Sequence, residues 1–140
     1  MATQNMMHFT ELDVARLSVL ARALASRGDG TRERAEALHD LLDHGSVLPS
    51  DEIPTDVVTM NSRVLIQDEA EREPRDITIT YPEMADPAAG RVSILSPIGQ
   101  AVLGRSAGQS AAFDLPYGGR GRIRVIKVLY QPEAEGDLTV

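Results

Sequence analysis

Apolar residues recur at spacings of three and four along the first part of the chain. Leu17, Leu20, Ala21 and Leu24 make one stripe, while Arg16, Ser18 and Arg22 fall opposite, and this period predicts an amphipathic helix. Thr10 stands where an N-cap is wanted, and Glu11 and Asp13 follow in the first turn, where carboxylates suit the helix dipole. The stretch SRGDG interrupts the period with two glycines. Thr31 then opens a second segment with the stripe Ala35, Leu38, Leu41 and Leu42, and Gly45 stands where a left-handed C-terminal cap is expected. Two helices of similar length joined by about five residues predict a short antiparallel helical hairpin. Such a hairpin is marginal alone, so its stripes must bury against each other and against the C-terminal part of the chain.

The texture changes after SVLPSDEIPTD, which reads as a linker with two prolines. VVTMNSRVLIQ is β-branched and partly alternating. DITITYP alternates strictly, with Ile77, Ile79 and Tyr81 on one face and Thr78 and Thr80 on the other. The charged DEAEREPRD between them is a solvated loop. SAAFDLP and RGRIRVIKVLY are two further strands, joined through the glycine-rich YGGRG, a turn that needs positive φ. In SILSPIGQAVLGRSAG a short helix is expected: Ser96 caps it, Pro97 fits its first position and Gly104 stops it. The expected architecture is α+β, a helical hairpin over residues 1–47 followed by a small antiparallel β-sheet domain with one short helix over residues 48–140.

Composition narrows the function. The chain of 140 residues has no cysteine, which removes disulfides, thiolate catalysis and Cys-ligated metal together. No run of about 18 apolar residues offers a membrane span, and MATQNMMHFTELD lacks the pattern of a secretory signal, so a cytoplasmic protein with no membrane contact is expected. That expectation also argues against Arg27-Gly28-Asp29 as an adhesion tripeptide. A net charge of −7 disfavours free nucleic acid as sole partner, because tight phosphate binding needs clustered cations.

Four blocks carry a resemblance: TELDVARL, DVVTMNSRV, VSILSPIGQAVLG and VLYQPEAEGDL. Together they are similar to the GreA/GreB transcription elongation factor family, in its Rnk branch, the regulators of nucleoside diphosphate kinase. The resemblance runs from about Thr10 to Leu138; DVVTMNSRV and YQPEAEGDL are specific to that branch. It implies an N-terminal α-hairpin on an FKBP-like C-terminal domain that binds RNA polymerase at the rim of its secondary channel. In Gre relatives the hairpin enters the channel, and acids at its tip help hold the catalytic magnesium.

Those acids have the form G-D-x-x-E. Here Gly28-Asp29 is followed by Arg32 at the glutamate position, and the nearest acid, Glu33, comes one residue late. A first helix of roughly 15 residues extends about 22 Å, and each turn removed withdraws a tip by about 5.4 Å. Magnesium needs its oxygens at about 2 Å, so a tip short by one turn cannot share the metal. Asp29 and Glu33 are therefore expected as hairpin-tip residues without catalytic work. The expected activity is transcription regulation by occupying the secondary channel in competition with longer Gre-type factors, with no catalytic residue, metal or cofactor. True transcript cleavage is the alternative, and so is an FKBP-like prolyl isomerase, though the chain offers only Phe9, Phe113, Tyr81, Tyr117 and Tyr130 to line such a pocket.

By resemblance, Ser96, Pro97 and Ile98 border the polymerase-docking surface. Arg120, Arg122 and Arg124 alternate along one strand, so they line one face, open to an acidic polymerase surface, to phosphates, or to solvent alone. The acidic tail residues Glu133, Glu135 and Asp137 are expected to neutralise that row in part. His39 with Asp43 and Asp40 with His44 sit four apart, but a third metal ligand is missing nearby.

Overall fold

A computed structural model describes residues 6–27, 31–115 and 117–136, and of Thr31 only the backbone. Helix α1 runs Glu11–Ala25 and α2 runs Thr31–Asp43. Thr10 caps α1 as expected, its Oγ1 accepting from the Asp13 N–H at 3.0 Å. The predicted stripes are the buried ones: Leu17, Ala21 and Leu24 on α1, and Ala35, Leu38 and Leu42 on α2, with Leu20 and Leu41 half-buried beside them.

The sheet is built from β3 (Arg63–Asp68), β4 (Arg75–Thr80), β5 (Arg91–Ser93), β6 (Ser110–Asp114) and β7 (Arg120–Tyr130), in the order β5-β4-β3-β7-β6. Three of its pairings are antiparallel, but β5 lies parallel to β4, so the sheet is mixed rather than wholly antiparallel. The reason is the connection: two 3-10 turns, Pro82–Met84 and Pro87–Ala89, carry the chain back along β4 before it re-enters the edge. One face of the sheet buries Val64, Ile66, Ile77, Ile79, Phe113, Ile123 and Val125. These share a single apolar cluster with the two helices and with α3 (Pro97–Val102).

Helix α3 obeys its sequence signals. Ser96 Oγ accepts from the Gly99 N–H at 3.1 Å, and Pro97 occupies the first turn. The chain then reverses through Leu103 and Gly104 (φ 81°), closed by the Arg105 N–H on the Val102 carbonyl at 3.1 Å. This is the geometry of a type II turn, which asks for glycine at its third position. At the β6–β7 connection Gly118 and Gly119 both have positive φ, as their turn requires.

Three expectations fail between the two periodic regions. SVLPSDEIPTD is no free linker: its first residues form β2 (Ser46–Leu48), which pairs in parallel with β1 (His8–Thr10), and Ile53 is buried. VVTMNSRVLIQ becomes strand only from Arg63. Val57, Val58, Thr59 and Met60 are instead a buried irregular segment that turns at Asn61, φ 65°. Gly45 is not in the left-handed region. It is required because a Cβ there would fall inside the Phe9 ring, and a Cβ on Gly104 would meet the other edge of the same ring at 2.6 Å. The two glycines form a slot for Phe9, which is 2% exposed.

Candidate functional site

The periodic elements leave a groove of roughly 500 Å³ between α2 and the α3–β6 edge. Its floor is Leu41, Leu95, Ala101 and Phe113, and charged side chains stand around it: Glu33, Arg34, Asp40, Arg105, Asp114 and Arg120. Gln100 on α3 spans one end, donating from Nε2 to the Arg34 carbonyl at 3.3 Å. Burial lowers the pKa of Arg105 from its ordinary value. The rim therefore carries both signs over an apolar floor, which suits a polypeptide with mixed charge better than a polyanion.

The sequence-predicted residues divide around this groove. Pro97 is exposed on its edge, Arg120 borders it and Glu33 lines it. Ser96 and Ile98 hold the edge from within: Ser96 Oγ donates to the Ser93 carbonyl at 2.7 Å, and Ile98 packs on the core. Arg122 and Arg124 do not join them. They lie with Arg120 along β7 as the alternation predicts, exposed on the sheet face turned away from the core. Asp29 and Asp137 lie outside the described residues.

Among the described residues, neither Glu133 nor Glu135 pairs with the arginine row. Arg120 meets Asp114 at 3.6 Å and Arg122 meets Glu69 at 3.7 Å. Glu133 turns the other way, its Oε1 accepting from Thr59 Oγ1 at 2.6 Å. Beside it Gln131, 3% exposed, donates from Nε2 to the carbonyls of Pro54 and Val57, both at 2.8 Å. Thr59 Oγ1 also lies 2.7 Å from Ser62 Oγ, which accepts the Thr59 N–H. Asp13 closes the set from α1, its Oδ2 accepting the Met60 N–H at 3.0 Å. Burial pushes the Asp13 carboxyl up to about 6, against the Met60 N–H that favours its ionised form, and the Glu133 charge raises it further.

TELDVARL, DVVTMNSRV and YQPEAEGDL thus meet at one buried joint, which gives the C-terminal block a physical reason. Sequence reasoning saw Asp13 only as a partner of the helix dipole. A polar residue four positions before the stripe's first leucine and on the same flank was the available signal of its burial. Of the histidine pairs, His39 Nδ1 stands 3.5 Å from Asp43, both exposed, whereas His44 Nδ1 lies 2.6 Å from the Asp40 backbone carbonyl instead of its carboxylate. Among the described residues no group of three His, Asp or Glu side chains converges.

The elements define an α+β fold in which a helix pair and a mixed sheet share one core. Residues 53–130 match the family described as "Transcription elongation factor, GreA/GreB, C-term", and the chain belongs to the GreA/GreB family of transcription elongation factors. It is 36% identical over 127 residues to the "Regulator of nucleoside diphosphate kinase" of Escherichia coli (strain K12), covering 91% of each chain. It is also 38% identical over 77 residues to "Transcription elongation factor GreA" of Desulfovibrio desulfuricans, covering 55% of this chain and 46% of that one. Among solved structures it is similar to "Prokaryotic transcription elongation factor GreA/GreB from Nitrosomonas europaea", with a TM-score of 0.69 and 33% identity over 89% of this chain and 99% of that one. No helix among the described residues is long and apolar enough to cross a membrane.

Proposed function

We propose that the protein is a cytoplasmic, non-enzymatic transcription regulator that binds RNA polymerase at the rim of the secondary channel and competes there with Gre-type factors. In this reading α1 and α2 are an antiparallel hairpin, residues 48–140 are an FKBP-like domain, and Pro97, Arg120 and the groove between them are the docking site. Ser96 and Ile98 act by fixing that edge.

The observation that carries the reading is the placement of the first turn of α2. Glu33 lines the groove and the Arg34 carbonyl is held by Gln100 of α3. An arm whose far end is seated on the body has little length left to project, and α1, at 15 residues, extends only about 22 Å. A factor that docks without delivering acids to the polymerase magnesium lowers the occupancy of longer relatives by mass action alone.

The test uses purified RNA polymerase and a backtracked elongation complex. The full chain is expected to co-elute with polymerase, to reduce Gre-stimulated cleavage as its concentration rises, and to produce no cleavage itself. Pro97→Ala with Arg120→Ala together should weaken that inhibition about tenfold, consistent with the loss of roughly 1.4 kcal/mol of contact. Absence of co-elution sinks the reading, and cleavage by this chain alone that disappears in Asp29→Ala would replace it with true cleavage activity.

A further inference from the structure

We propose that the outer face of β7, with Tyr117 at its end, binds single-stranded nucleic acid, on a surface that adjoins the groove at Arg120 and continues away from it through Arg122, Arg124 and Lys127. Along β7 Ile123 and Val125 are buried, so Arg120, Arg122 and Arg124 point outward. Simple alternation would next turn Lys127 inward. It does not, because the β3–β7 register slips between Leu65 and Ile66: Ile66 pairs with Val125 but Leu65 pairs with Lys127. The extra residue, Ile126, reverses the parity and places Lys127 on the same face as the arginines.

The neighbours on this face leave the cations free to reach out. Arg122 stands opposite Ala112, and Arg124 stands between Ser110 and Gln67. The carboxylates nearby make long, exposed contacts, 3.6 Å to Arg120 and 3.7 Å to Arg122, of the kind that contributes little and yields readily to a competing anion. No described carboxylate lies within 4.0 Å of Arg124 or Lys127. In a chain of net charge −7, one strand face thus gathers four cations.

The row ends at a ring. Tyr117 is 100% exposed in the β6–β7 turn, whereas Phe9 and Phe113 are buried and Tyr81 and Tyr130 are half-buried. A ring in water, in the turn that leads into a line of cations, supplies the two parts that single-stranded binding uses, a charged track for the backbone and an aromatic face on which an unstacked base rests. A protein partner fits less well, since a stable interface needs about 800 Å² per partner around an apolar centre, and among the described register neighbours of the cations, Asp114, Ala112, Ser110, Gln67 and Leu65, Leu65 alone is a large apolar side chain. From Arg120 to Lys127 the track spans about 20 Å at ~3.3 Å per residue, room for a few nucleotides of an extended single strand.

The test needs no polymerase, so it succeeds or fails apart from the docking reading. Fluorescence anisotropy of the full chain with a labelled 12-nucleotide single strand should show binding that falls roughly 20- to 50-fold between 50 and 200 mM salt, the slope expected for three or four released counterions. Arg124→Ser and Lys127→Ser should each flatten that slope by about 0.7. Tyr117→Ala should weaken binding at least fivefold with the slope unchanged, because stacking releases no counterion. These residues are exposed, so unchanged melting of the variants serves as the control for folding. No binding at 50 mM salt, binding indifferent to all three substitutions, equal affinity for a duplex of the same length, or binding to an acidic peptide alone would each overturn the proposal.

Discussion

In the helix pair the buried apolar side chains are Leu17, Ala21, Leu24, Ala35, Leu38 and Leu42. In the joint beneath it the buried side chains include Thr10, Asp13, Thr59, Ser62 and Gln131, each 5% exposed or less. The first region is cohesive without being directional, and aliphatic cores accept volume-conserving exchanges at small cost. The second is directional. Apart from Gln131 Oε1, which has no partner among the described residues, its polar side chains hydrogen-bond to partners fixed in direction, and a buried group that loses one costs about 1–3 kcal/mol. The helix pair therefore tolerates exchange of its side chains, while the joint fixes where α1 and the end of β7 meet the Val57–Ser62 segment.

The sharpest way to break this contrast is at Phe9, the one large apolar side chain that the joint encloses between two glycines. Phe9→Ala should lower stability by about 3–5 kcal/mol in a denaturant titration. Gly45→Ala, which forces a methyl into the ring, should cost about 1–3 kcal/mol in the natural background and far less in Phe9→Ala. Equal cost in both backgrounds would mean that the ring is not what Gly45 accommodates.

Asp13 gives the joint a pH dependence that the helix stripes lack. Its carboxyl is raised in the folded state from 3.8 to about 6, chiefly by burial. The folded chain thus holds that proton more tightly than the unfolded one. The stability this contributes is complete below about 3.8 and is lost as pH rises through about 6. A displacement of about two pH units at ~1.36 kcal/mol each sets a ceiling near 3 kcal/mol. Urea titrations of the natural chain and Asp13→Asn at pH 4, 5.5 and 7.5 should therefore diverge, the natural chain losing stability relative to the variant as pH rises. Parallel curves would show that the carboxyl titrates normally and is not shut away.

Gln131→Ala probes the joint's C-terminal side. It removes the donor shared by the Pro54 and Val57 carbonyls, and should cost about 1–3 kcal/mol by leaving buried acceptors unpaired. The same substitution is expected to disturb competition with Gre-type factors through the groove's geometry while leaving single-strand binding by β7 unchanged. A variant that loses both would point to global unfolding instead of a shifted joint.

Legibility in the sequence divides along the same line. The stripes of α1 and α2, the cap at Thr10, helix α3 and the alternation of β4 and β7 are local patterns, and period alone predicts which side is buried. The joint is assembled from segments far apart in the chain: Thr59 meets Glu133, and Asp13 meets the Met60 N–H. No spacing announces such partners, so Val57–Met60 read as a strand and Ser46–Asp56 as a linker. Parallel pairing of β4 with β5 escaped for a related reason, since β5 has three residues and owes its place to the 3-10 turns before it. Of the candidate site, Pro97 and Arg120 were visible as residues, but their shared groove depends on where α2 lies. Lys127 was missed because its direction depends on a register slip, which alternation cannot show.

The smallest effect is expected on the outer surface of α2, and it calibrates the rest. Arg32 Nε donates to Glu36 Oε1 at 3.2 Å, with both side chains more than half exposed. The pair has the favourable spacing of one helical turn, but solvent screens it, so Arg32→Ala should cost about 0.3–0.5 kcal/mol and less in high salt. Both residues are charged and hydrogen-bonded, as Asp13 is, so chemistry alone does not separate them from the joint; burial does. If thermal melts showed Arg32→Ala to be as costly as Gln131→Ala, the distinction between a tolerant helix pair and a demanding joint would fail. A difference of severalfold would place the specificity of this fold in the buried contacts that bind Thr10, Asp13, Thr59 and Gln131 together.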